Sequence, residues 1–379
     1  TMGRDTGVNE PIPVLDLGPE LEAIWSEVSE VASRVLRSGY FVGGPEVTGF
    51  ESEAADYLGV KHAVALNSGT DALVIGLRAL GVQPGDEVIS APFTVFASPE
   101  SIGILGASEV FADEDPDSFN QDPQRVEDAI TPRTRALMPV HLFGRPADMD
   151  AISDIALRHG LAVIEDSAQS FGARFGPETK YSGLQTGSVG HAGAFSFYPT
   201  KNLGGFGDGG LLTTSDDGVA DRARRLRDHG SARRYENETL GYNSRLDALQ
   251  AALLRVKLPH IDANNDGRRA AASRYNGLFD GVDGVTTPEV VPGHVFHQYT
   301  IRVTDGRRDA VQAALGAASI GTMIYYPIPC HRLPVYAERG ISMPVAELLA
   351  DEVLSLPIWP AIAPSAQERV RDVIAGALG

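Results

Sequence analysis

One cysteine, Cys330, stands in a chain of 379 residues, which rules out an intramolecular disulfide. One cysteine beside a single His331 is too small a ligand set for a zinc site, and the cytoplasm is the expected compartment. No apolar run approaches the roughly 18 residues needed to cross a bilayer. The opening TMGRDTGVNEPIP lacks both a basic region ahead of an apolar core and a cleavage site, so a soluble intracellular protein is expected, with Thr1 before Met2 read as a remnant of tag removal. Basic residues are also short: 32 against 50 acidic ones give a formal charge of −18. That balance repels a phosphate backbone and an anionic membrane surface, so neither nucleic acid nor membrane is an expected partner. A few arginines can still hold a small anion locally. Internal repeats and low-complexity segments are absent.

What is present is globular: 43% hydrophobic and 22% charged residues, with length for two domains. From about residue 60 to 215, short β-rich runs alternate with helical periods: HAVAL then TDALVIGLRAL, DEVIS then SPESIGIL, ALMPVHL then MDAISDIALRHG and LAVIE. The pattern predicts an α/β fold on a largely parallel sheet. A long helical stretch, SRLDALQAALLRVKLPHIDANNDGRRAAASRYNGL, then leads to a C-terminal part with HQYTIRV and GTMIYYPI as strand candidates. The expected division is a large domain over 1–250 and a smaller one over 251–379.

Three stretches carry candidate chemistry. In FSFYPTKNLGGFGDGG, Lys201 follows an aromatic strand and precedes a glycine-built turn, an unusual place for a solvated lysine. In NSGTDAL, a strand ends and a helix begins, so Ser68, Gly69 and Thr70 offer backbone N–H groups and a hydroxyl to a phosphate; taken alone, ordinary N-capping explains them as well. In LAVIEDSAQSFGA, Glu165, Asp166 and Gln169 fall at the carboxyl end of an apolar strand, where open α/β sheets bind ligands. Glu165 and Asp166 alternate in direction, so only one faces the ligand; an Asp capping the next turn is the plainer alternative. Gly205, Gly207 and Gly210 satisfy G-x-G-x-x-G, but a strand rather than a helix follows, which excludes a dinucleotide fingerprint. A phosphate seat, a carboxylate and a lysine together match pyridoxal 5′-phosphate, which needs an anion seat, a partner for its pyridinium nitrogen and an amine for its aldehyde.

The chain resembles the DegT/DnrJ/EryC1/StrS family of sugar aminotransferases in SGYFVGGPEVTGFE, NSGTDAL, GDEVISAPFTVFAS, VHLFGRPADMDAI, VIEDSAQSFGA, FSFYPTKNLGGFGDGG, RDHG and GYNSRLDALQAALLRVKL. The resemblance covers nearly the whole chain. It implies fold-type I architecture with a large mostly parallel domain and a smaller C-terminal α/β domain, acting as a homodimer with shared active sites. It also implies that Lys201 bonds the cofactor, Asp166 pairs with the ring nitrogen, Gln169 contacts the ring, and Gly69, Thr70 and Ser196 hold the phosphate. Asn243, in GYNSR, would reach the cofactor of the neighbouring subunit.

Two departures stand out. Where the family pattern T-[FYW]-x-A-[TS] places a stacking aromatic, this chain has Val95, which could cover the ring by dispersion, with Phe96 behind it expected in the core. The HYPxPxH pattern becomes Tyr325, Tyr326, Pro327, Ile328, Pro329, Cys330, His331, so the first histidine is a tyrosine. The resemblance implies ping-pong transfer from L-glutamate to a nucleotide-linked keto-sugar at C3 or C4. Tyr40, Arg233, Arg245, Tyr326 and His331 are candidate substrate contacts, with Arg234 and Arg332 as further arginine clamps for a diphosphate. Within the family a sugar dehydratase is the alternative, which replaces the lysine with histidine; a non-catalytic regulator on the same fold is the other. No metal is expected.

Overall fold

A computed structural model describes residues 10–233 and 235–379; residues 1–9, with the expected tag remnant, and Arg234 lie outside the described residues. Its central sheet has seven strands: β1 (His62–Leu66), β2 (Glu87–Ser90), β3 (Ser108–Phe111), β4 (Thr134–Met138), β5 (Ala162–Asp166), β6 (Ala192–Ser196) and β7 (Gly210–Thr214). Their order across the sheet is β1-β7-β6-β5-β4-β2-β3. Neighbours from β3 through β2, β4 and β5 to β6 pair in parallel, while β7 runs antiparallel to both β6 and β1. The runs are nearly all apolar because helices cover both faces, which leaves no solvated side to favour alternation. The carboxyl ends of β1, β2, β5 and β6 therefore share one edge.

Sequence sets the helix limits locally. Gly69–Ala79 starts where the Ser68 side chain accepts the Asp71 N–H, and Met149–His159 runs from an Asp148 cap to Gly160 in the left-handed conformation. The long stretch after residue 244 is two helices, Ala248–Lys257 and Ile261–Phe279, separated by a 3-10 turn at Leu258–His260. Pro259 lies in that turn, where its missing N–H would break an α-helical ladder.

A second, antiparallel sheet joins Val285–Thr286, Tyr299–Val303 and Val353–Leu356. HQYTIRV supplies its middle strand, as expected. GTMIYYPI does not form a strand: Met323 makes a single bridge to Ser355, and Pro327 and Pro329 beyond it have no N–H to extend the ladder. VLSL, directly after the helix Pro344–Glu352, takes that place. Around this sheet Ile12, Ala271, Tyr275, Tyr299, Ile301 and Leu354 form one cluster. Ala251, Leu254, Leu258 and Ile261 instead pack with Leu211 of the large sheet, Phe197 just beyond β6 and Phe50 of the helix Pro45–Leu58.

Candidate active site

At the shared strand edge lies a cavity of about 270 Å3, and Ser68, Gly69, Thr70, Val95, Asp166, Gln169, Ser196 and Lys201 all line it. Thr94, Tyr198 and Asp208 are also in its wall. A larger cavity of about 730 Å3 among Asp115, Arg145 and Glu178 holds none of the expected residues. The smaller one is the candidate site because Lys201, Asp166 and the helix start at Gly69 converge there.

The phosphate-seat candidates meet through close backbone approach. A Cβ on Gly69 would come within 2.6 Å of the Ser196 Cβ, and one on Gly210 within 2.1 Å of the Ser68 carbonyl oxygen. Only glycine lets the start of the helix Gly69–Ala79, the end of β6 and the start of β7 press together. The helix presents the positive end of its dipole to the cavity at that point. N-capping by Ser68 and an anion seat thus coexist, since the cap occupies the Asp71 N–H alone.

Four lysines occur in the chain, and three are neutralised by carboxylates: Lys61 by Asp217 at 2.6 Å, Lys180 by Asp154 at 2.6 Å and Lys257 by Glu20 at 3.0 Å. Lys201 lies in the cavity wall instead. Loss of hydration there lowers its pKa to about 8, with the negative charge of Asp166 opposing the shift.

Adjacent carboxylates on β5 do face opposite ways. Glu165 is fully buried behind the strand, where Oε2 accepts from His141 Nε2 at 2.9 Å and Gly187 N–H at 2.8 Å, and Oε1 from Val189 and Gly190 N–H at 2.8 and 2.6 Å. His141 Nδ1 accepts the Ala147 N–H at 2.9 Å, which fixes the proton on Nε2. Asp166 faces the cavity: Oδ2 accepts from the Ser98 hydroxyl at 2.6 Å and Oδ1 from the Ala168 N–H at 3.1 Å. Gln169 accepts the Phe143 N–H at 2.6 Å and donates to Tyr326 Oη at 2.9 Å, so Tyr326 touches the site through Gln169. Burial raises the Tyr326 phenol pKa and keeps it protonated.

Val95 is 39% exposed on the cavity rim, and Phe96, expected in the core, is 37% exposed against Tyr336. Phe96 opens the helix Ala97–Ile104 at the rim, whereas Phe93 takes the core position.

The remaining candidates lie outside this cavity. Asn243 is exposed and its segment bridges Asp228; Arg245 ion-pairs with Asp228. Arg233 is exposed in a short hairpin with Glu236. Tyr40 is 73% exposed, and next to it Phe41 accepts the Ala248 N–H while Val42 bridges Asp247, which brings the exposed Tyr40–Val42 segment beside the Asn243 segment. His331 is buried with Nε2 3.0 Å from Glu347, and Arg332 pairs with the same carboxylate at 2.8 Å. Arg332, His331 and the Met343 N–H together hold the Glu347 pKa down to about 2. Sequence reasoning missed Ser98, His141 and Glu347; of these Ser98 alone had a signal, as the last residue of TVFAS.

A profile of the DegT/DnrJ/EryC1/StrS aminotransferase family matches residues 23–375, and the chain belongs to that family. Its architecture is fold-type I. It is 47% identical to a "Pleiotropic regulatory protein" of Geobacillus stearothermophilus, over 96% of this chain and 98% of the other. It is 46% identical to the dTDP-3-amino-3,4,6-trideoxy-alpha-D-glucose transaminase of Streptomyces venezuelae, over 96% and 95%. Among solved structures, S. venezuelae DesV in complex with a ketimine intermediate superposes with a TM-score of 0.92 at 45% identity, covering 97% of this chain and 98% of that one.

Proposed function

We propose that this chain is a pyridoxal 5′-phosphate-dependent aminotransferase that takes an amino group from L-glutamate and delivers it to C3 or C4 of a nucleotide-linked keto-sugar, in the making of deoxyamino sugars. The observation that carries the reading is Lys201: the one lysine without a carboxylate ion pair among the described residues shares a cavity with Asp166 and a helix amino end. The donor set fits the cofactor, because the Gly69 and Gly210 approaches leave an anion seat at the helix start and Asp166 keeps a carboxylate edge toward the cavity. Bound there, pyridoxal phosphate supplies an aldehyde that condenses with amines and a ring that withdraws electrons from the carbon beside them.

The residues divide that work. Lys201, with its pKa near 8, has free amine available close to neutral pH to bond the cofactor and, once displaced, to move the proton at the substrate carbon. Asp166 accepts the hydrogen bond of the ring nitrogen and favours its protonated form. Ser68, Gly69, Thr70 and Ser196 hold the phosphate, Val95 covers one ring face, and Gln169 contacts the ring. Tyr326 orients Gln169 by hydrogen bonding.

Homodimerisation with shared sites belongs to the same reading. Tyr40, Phe41 and Val42 form an exposed apolar segment beside Asn243, which supports burial of both against a second copy. Tyr40, Arg233 and Arg245 would then act on the substrate side, whereas His331, buried against Glu347, would stay behind it. We further propose that the chain divides into a large cofactor-binding part and a smaller C-terminal part, with the hand-over along the helix Ile261–Phe279, beyond residue 250. The name of the S. venezuelae relative, a 3-amino sugar transaminase, supports C3. No helix among the described residues is long and apolar enough to cross a membrane, which accords with a cytoplasmic location.

The test is to load the protein with pyridoxal phosphate, add L-glutamate, then nucleotide keto-sugars, and identify products by NMR. Loss of the yellow colour with glutamate and an amino sugar as product are expected. A loaded protein unchanged by glutamate and every amino donor would favour the regulatory alternative that the Geobacillus relative's name raises.

A further inference from the structure

We propose that Ser98 is a positioning residue for Asp166, at the middle of a one-way hydroxyl chain from Thr94 to Ser98 to the carboxylate. The inference rests on the reading of the cavity as a pyridoxal phosphate site. Ser98 is fully buried in the first turn of the helix Ala97–Ile104, with its Oγ 2.6 Å from Asp166 Oδ2 and 3.2 Å from Thr94 Oγ1. A carboxylate only accepts, so the single Ser98 proton goes to Asp166, and Thr94 donates to Ser98. The Ala168 N–H holds the other Asp166 oxygen at 3.1 Å. One fixed donor on each oxygen leaves the carboxylate a single orientation toward the cavity. Ser98 is anchored in turn: its N–H donates to the Val95 carbonyl at 3.1 Å, and its carbonyl accepts from Ser101 Oγ at 2.7 Å. The TVFAS turn thus ties the residue at the ring face, Val95, to the residue that aims the ring's charge partner.

The test measures pyridoxal phosphate dissociation from the apoprotein by absorbance titration, with kcat and glutamate KM alongside, for Ser98→Ala in the wild-type and Asp166→Ala backgrounds. Ser98→Ala should weaken retention about tenfold or more in the wild-type background, the scale of a lost hydrogen bond to a charged group. It should lower kcat with glutamate KM nearly unchanged. In the Asp166→Ala background the same substitution should change retention by less than about twofold, because the partner is already gone. If Ser98→Ala does not fold, Thr94→Val carries the test: it removes the donor that holds the Ser98 oxygen in place and should weaken retention only while Asp166 is present. Equal weakening in both backgrounds, or none in the wild type, overturns the role of Ser98 and leaves the cofactor reading standing. A wild-type protein that binds no pyridoxal phosphate overturns both.

Discussion

Lys201 and Asp166 lie in a cavity whose walls come from one chain, while Asn243, Tyr40 and Arg233 lie in exposed segments outside it. The first group already has its electrostatics in place: a dehydrated lysine, a carboxylate with both oxygens held, and a helix start pressed against β6. The second group has charged and aromatic side chains with much of their surface still in water. The difference teaches where the chemistry can be prearranged by folding and where it waits for an additional surface. Groups that must react are immobilised by their own chain, and groups that recognise a large substrate can be brought by a partner.

The most severe break is Lys201→Ala. On the proposed reading it removes the group that would move the proton and leaves the residues that would hold the phosphate, so kcat should fall by about a thousandfold or more with folding retained, as single-turnover kinetics and thermal melting would record. The exposed half is tested by mixing. Lys201→Ala and Asn243→Ala chains, each nearly inactive alone, should recover up to about a quarter of wild-type activity after co-refolding, because about half of random dimers are mixed and each has one intact site. Confirmed mixed dimers without recovery would place Asn243 outside its partner's site.

Glu165 and Asp166 sharpen the comparison within one strand. Glu165 accepts four hydrogen bonds with no access to the cavity, so Glu165→Gln should act on the fold, costing about 2–4 kcal/mol in urea unfolding by leaving buried donors facing an amide NH2. Cofactor affinity of the surviving folded fraction should change little. A loss of affinity with stability unchanged would move Glu165 into the site. Val95 stands on the rim between the two groups. Val95→Phe should tighten cofactor retention by about 0.5–1.5 kcal/mol or leave it unchanged, the range of an added aromatic stack; marked loss with the fold intact would show a pocket shaped around the smaller side chain.

Much of this arrangement was legible because parallel strands buried on both faces give short apolar runs, and HAVAL, DEVIS and LAVIE match β1, β2 and β5 closely. The alternation of Glu165 and Asp166 followed from strand geometry alone. GTMIYYPI misled because its β-branched and aromatic composition resembles a strand, while Pro327 interrupts the ladder and Tyr326 turns to Gln169 at the cavity. Phe96 misled because a large apolar residue in a motif suggests a core, whereas its place at the start of a helix on the rim exposes it. Ser98 and His141 escaped notice for a different reason: what they do depends on which strand end lies opposite, and that is set by the order of β2, β4 and β5 in the sheet rather than by spacing along the chain.

The central claim is that Lys201 is the amine that bonds the cofactor, and borohydride reduction of the pyridoxal phosphate-loaded protein followed by peptide mass spectrometry tests it most directly. Reduction makes the bond permanent, and only four lysines compete for it. The account predicts a phosphopyridoxyl mass on the peptide containing Lys201 and none on those containing Lys61, Lys180 or Lys257, whose ammonium groups are held by carboxylates. A label on one of those three, or no label on a protein that has visibly bound the cofactor, would contradict it.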